Sequence, residues 1–179
     1  MKKLFVLFIS LFIMVNGAVF AQENDDEKDG SQDVVTGSVS SSAYYSVPTG
    51  GKPGEIQPMQ VNGGIEARAE LWWSTAPICT YFNCWMQGKA VTQVVSGSGV
   101  YNLCAQVIYL SRNGVAVGST GFNCGTYNLG NGVSAETQQN GDPRAANWIV
   151  ATAHTATNQA GVGGTPFNWA PFLSASVNL

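Results

Sequence analysis

The chain has 179 residues, of which 11% are charged, 45% hydrophobic and 11% aromatic, with a net charge of −3. An average soluble domain carries roughly 25% charged residues. The apolar and aromatic content excludes a disordered chain, eight Lys and Arg exclude a nucleic-acid binder, and the 21 glycines follow no triplet repeat, which excludes a collagen.

Lys2 and Lys3 precede an apolar run from Leu4 to Val15, and Val19-Phe20-Ala21 ends the segment. A basic start, a short apolar stretch and small residues before a cut read as a secretory signal peptide of residues 1–21, cleaved between Ala21 and Gln22. The run is too short for the roughly 20 residues that cross a bilayer. Its style is bacterial, and the mature protein is expected to be secreted, free or held on a surface without a covalent anchor. Residues 22–33 then carry six acids against Lys28. With no large apolar side chain to bury before Val34, they read as a disordered acidic leader rather than a calcium loop. From residue 34 onward five acids and five bases cancel, so the mature protein's net charge sits in the leader.

Residues 34–179 read as a single domain. Residues 34–45 are β-prone and read as a separate N-terminal strand. Residues 46–60, rich in Pro and Gly, read as its connector. Ile65–Trp73 alternates Ile65, Ala67, Ala69, Leu71 and Trp73 with Glu66, Arg68, Glu70 and Trp72, the pattern of a half-buried strand. Lys89–Val95, Tyr101–Tyr109, Trp148–Ala156 and Leu173–Leu179 are further strands, the second presenting Tyr101, Leu103, Ala105, Val107 and Tyr109 on one face. Ser96–Gly99 is a turn, Asn113-Gly114 a hairpin turn before Val115–Cys124, and Asn158–Pro171 a long loop. No segment shows a sustained helical period. The expectation is an all-β protein, an antiparallel β-sandwich of seven to nine strands, Ig-like or jelly-roll-like, with a small barrel as the alternative. Thr80–Cys84 echoes Thr120–Cys124, which leaves open a pair of similar hairpins.

Four cysteines in an exported chain predict disulfides. Cys79–Cys84 closes a small loop. The Asn113-Gly114 turn sets Cys104 opposite residue 123 or 124, which favours Cys104–Cys124. The spacing fits no zinc site. Intact-mass measurement of secreted material is expected to show loss of residues 1–21, a mass about four hydrogens below the reduced chain, and no thiol that alkylates without reductant.

Catalytic groups are scarce. The one histidine, His154, is in strand phase with Trp148 and Val150 and reads as a core residue, and no G-x-S-x-G elbow occurs. Glu66 and Glu70 share a strand face, but four strand residues separate them by about 13 Å, with Arg68 between, and a charge ladder is the simpler reading. No catalytic residue, metal or cofactor is assigned. Trp72 stands on the polar face of its strand and is the candidate for stacking on a ligand, unless a second sheet or a loop covers it. Trp85, Trp148 and Trp169 read as core. The expected function is a non-catalytic extracellular binding module for a carbohydrate or cell-surface ligand, with no nucleic-acid partner. The alternatives are a β-pore-forming toxin inserting a Lys89–Leu110 hairpin, a filament subunit self-associating through residues 34–45, and, last, a secreted hydrolase.

Overall fold

Residues 34–48, 61–158 and 167–179 are described by a computed structural model. The signal segment, the acidic leader and residues 49–60 of the connector lie outside the described residues. The strands are β1 (Val35–Pro48), β2 (Val61–Thr75), β3 (Trp85–Gly97), β4 (Tyr101–Arg112), β5 (Val115–Gly118), β6 (Asn123–Tyr127), β7 (Gly132–Asn140), β8 (Asn147–Asn158), β9 (Asn168–Trp169) and β10 (Phe172–Asn178). No helix occurs among the described residues.

Two antiparallel sheets pack face to face as a β-sandwich. The first has the order β1-β2-β3-β7; the second has the order β10-β8-β4-β5, with β6 also on β4 and β9 on β8. Period-2 alternation places one row of each strand inside. Ile65, Ala67, Ala69 and Leu71 of β2 in the first sheet, and Leu103, Ala105, Val107 and Val150 in the second, are all fully buried. Gly88 of β3 lies against Val150 and Leu110 of the second sheet. A Cβ there would stand 2.9 Å from a Val150 methyl and 3.3 Å from Leu110. Asn113 and Gly114 both take positive φ, 51° and 80°, as the tight turn between β4 and β5 requires.

Both lateral openings of the sandwich are stitched. On one side Ser41 Oγ donates to the Ser174 carbonyl at 2.7 Å, and Tyr45 stacks on Phe167 and Trp169. On the other, Asn123 Nδ2 donates to the Ser134 carbonyl at 2.8 Å. Edge strands with unpaired backbone groups invite pairing with other chains, and these contacts tie the edges to their own molecule.

Several expectations change. β1 pairs with β2 from Val35↔Thr75 to Pro48↔Val61, so residues 46–48 of the expected connector are strand and the N-terminal strand fills an edge of its own sandwich. Lys89–Leu110 is not a hairpin: β3 and β4 lie in different sheets, and Ser96–Gly99 carries the chain across the core. A β-bulge between Val107 and Tyr109 inverts the phase of β4, exposing Tyr109 and burying Leu110. Val115–Cys124 is broken into β5 and β6, and Asn158–Pro171 contains β9. Thr80–Cys84 forms a loop whereas Thr120–Cys124 leads into a strand, so their likeness marks no structural repeat. Trp148 is core, but Trp85 and Trp169 are only half-buried.

Both expected disulfides are present. Cys104 and Cys124 are direct cross-strand partners, and Cys79–Cys84 staples the loop between β2 and β3. Two disulfides suit an oxidising, extracellular setting. No helix among the described residues is long and apolar enough to cross a membrane.

Candidate functional site

The outward row of the first sheet carries the polar residues that the alternation of β2 sets aside. Ser38, Ser40 and Ser42 of β1 pair with Trp72, Glu70 and Arg68 of β2. These in turn pair with Gln87, Lys89 and Val91 of β3, which face Gln138, Glu136 and Ser134 of β7. Over β2, β3 and β7 this face forms a shallow groove of about 460 Å³, lined among others by Arg68, Glu70, Trp72, Lys89, Gln93 and Ser134.

A chain of contacts fixes its floor. Gln93 Nε2 donates to Glu66 Oε2 at 3.1 Å, and Arg68 Nη2 reaches Gln93 Oε1 at 3.5 Å. Arg68 Nε lies 3.3 Å from Glu70 Oε1 and 4.0 Å from Glu66 Oε2. Glu70 Oε2 accepts from Trp72 Nε1 at 2.9 Å. Both oxygens of Glu70 are thus engaged, and only 8% of the residue is exposed. Glu66 and Glu70 both lean on Arg68, as a charge ladder would. Lys89 stands between Glu70 and Glu136 by register and joins no ion pair among the described residues.

Trp72 is 42% exposed, so part of its indole remains open to solvent. Its N–H is held by Glu70, so the indole is preorganised at the rim of the groove at little entropic cost.

His154 lies elsewhere. It points from β8 into the core, 1% exposed, with Nδ1 2.8 Å from Thr92 Oγ1 and Nε2 2.7 Å from Thr152 Oγ1. Thr92 Oγ1 already donates to the Cys104 carbonyl at 2.9 Å, so it accepts from Nδ1–H, and the neutral Nε2 accepts from Thr152. Burial pushes the pKa of His154 down from 6.5 to about 4. A sealed, neutral imidazole with both nitrogens occupied meets no substrate.

Sequence reasoning found Trp72, the ladder and the disulfides. It did not find Lys89, Gln93 and Ser134, because they join the groove only through the pairing of β3 with β2 and β7, and the β7 segment carries no long apolar run. Compared with protein-family models, with curated proteins and with solved structures, the chain matches none.

Proposed function

We propose that the protein is a secreted, non-catalytic binding module that takes a saccharide on the outward face of its first sheet. The observation that carries this reading is the partly exposed Trp72 at the rim of a groove floored by Glu, Arg, Lys and Gln side chains. A sugar ring has one apolar face, which an indole covers, and a rim of hydroxyls, which planar carboxylate, amide and guanidinium groups hydrogen-bond in either sense. A shallow, open groove suits a polymer that runs on past the site more than a small molecule that needs enclosure. The signal segment and the two disulfides support export, where polysaccharides are met.

Affinity electrophoresis through gels containing soluble polysaccharides tests this. At least one neutral polysaccharide should retard the protein, and Trp72→Ala should weaken that binding by about tenfold or more. The same substitution should leave stability within about 1 kcal/mol, since the ring packs on the surface. Retardation unchanged by Trp72→Ala, or absent in every gel, would remove the reading.

A further inference from the structure

The loop between β2 and β3 is built in an unusual way. Ala76–Cys84 contains no charged residue, and its polar groups are turned inward on one another. Asn83 Oδ1 accepts from the Thr80 backbone N–H at 2.6 Å and from its hydroxyl at 3.0 Å, and Asn83 Nδ2 donates to the Ile78 carbonyl at 3.0 Å. Ser74 Oγ donates to the Asn83 carbonyl at 2.8 Å, and Cys79–Cys84 closes the base. This scaffold holds three large apolar side chains in solvent: Ile78 at 67% exposure, Tyr81 at 66% and Phe82 at 88%, the two rings packed edge to face. A mobile loop would fold such groups back. A loop stapled so that they stay out has already lost the entropy that docking would otherwise cost.

The same end of the sandwich carries further exposed apolar residues. Val35 pairs with Thr75 at the foot of the loop, and Val34 precedes it, both more than half exposed. Gly141 N–H donates to the Cys84 carbonyl, and Arg112 donates to the Asp142 carbonyl, which brings the turn before the exposed Val115 to this end too. The opposed charges here are Asp142 and Arg144, paired at 2.7 Å; the hydrogen bonds from Arg144 hold the Asp142 carboxyl below its ordinary pKa.

We propose that this end docks on a zwitterionic lipid surface, with Ile78, Tyr81 and Phe82 sunk into the boundary between headgroups and acyl chains. The three side chains offer roughly 400 Å², about half of the 800 Å² that each partner contributes to a standard protein complex. That is enough for an interfacial wedge, where aromatic rings are favoured, and short of what a second copy seated on the loop alone would need. Charge sets the lipid class. Residues 22–33, which precede Val34 in sequence, carry six acids against one lysine, so an anionic surface would be repelled.

The experiment is co-sedimentation of the oxidised protein, acidic leader included, with vesicles of phosphatidylcholine alone and of phosphatidylcholine mixed with phosphatidylserine. The wild type should bind the first and bind the second more weakly. Phe82→Ser should reduce partition into phosphatidylcholine by about tenfold or more, and Tyr81→Ser by less. Both side chains are in solvent, so an unchanged melting temperature shows that the variants are folded. Failure of the wild type to bind phosphatidylcholine overturns the proposal. So does stronger binding to phosphatidylserine that ignores Phe82→Ser, which would mean adsorption through another surface. A dimer in sedimentation equilibrium that Phe82→Ser disperses, without vesicle binding, would replace the lipid by a second copy. None of these outcomes depends on Trp72.

Discussion

Replacing Trp148 by Ala should lower the unfolding free energy by about 3–5 kcal/mol, the range for deleting a buried aromatic ring. Trp148 heads the fully buried side chains in size. It opens β8, where its Nε1 donates to the Pro143 carbonyl at 2.8 Å and the Arg112 guanidinium sits 5.5 Å from the ring centroid. Truncation removes the ring's contacts, leaves a cavity between rigid strands, and strips the Pro143 carbonyl of its donor. The β7–β8 loop is held at that point, so the loss extends beyond the ring. Urea unfolding of wild type and Trp148→Ala measures it. A difference under about 1 kcal/mol would show that the site collapses to fill the space or that the ring is not packed as described.

Acid should destabilise the fold through His154. The folded protein keeps the imidazole neutral down to about pH 4, whereas the unfolded chain protonates it at its ordinary 6.5. Above pH 6.5 neither state holds the proton and stability is full. As the pH falls through the window from 6.5 to 4, the unfolded state takes up the proton first, and stability is lost with it. The shift corresponds to about 3 kcal/mol when the window has been crossed. Carboxylates contribute to any acid unfolding, so the measurement is a difference. His154→Leu removes the titration, while Thr92 keeps its carbonyl acceptor at Cys104 and Thr152, released from Nε2, turns its proton to the Leu173 carbonyl 3.4 Å away. The unfolding free energy of wild type relative to that of His154→Leu should therefore fall by about 3 kcal/mol as the pH is lowered through the window from 6.5 to 4. Parallel curves would mean that His154 is protonated, or reached by water, in the folded state.

The fold was legible wherever a strand has one wet face. The Glu66, Arg68, Glu70 row against Ile65, Ala67, Ala69, Leu71 leaves no doubt about the phase of β2, and Asn113-Gly114 announces its turn because few residue pairs tolerate two positive φ angles. That turn also set the Cys104–Cys124 pairing. β7 was missed because Val133 and Ala135 alternate with Ser, Glu, Thr and Gln and supply too little apolar contrast. The bulge at Ile108 was invisible, since Tyr101–Val107 continues smoothly into Tyr109 and only the pairing with β8 forces the slip. Whether Ser96–Gly99 makes a hairpin or a crossing depends on which partner waits on each side, a long-range matter. The groove was half legible for the same reason: Trp72 and its neighbours lie on one strand, but Lys89 and Ser134 come from others. The exposed tip of the Cys79–Cys84 loop was legible only as a loop.

Two of the three crossings between sheets, β3 to β4 and β7 to β8, have a kinetic consequence. β3 and β7 are neighbours in one sheet, and their continuations β4 and β8 are neighbours in the other. Neither central pair is local: Lys89 meets Glu136, and Cys104 meets Thr155. The β4–β6 hairpin can form early, and its disulfide can lock it, but the middle of both sheets must be assembled together, after long stretches of chain have been brought round. Loop closure on that scale opposes the reaction before any core contact favours it, so folding should be slow, in the millisecond-to-second range of non-local β proteins. Until β7 and β8 arrive, β3 and β4 each present an open edge, and a chain emerging from an export channel would pass through that exposed stage before its last strands were available to close it.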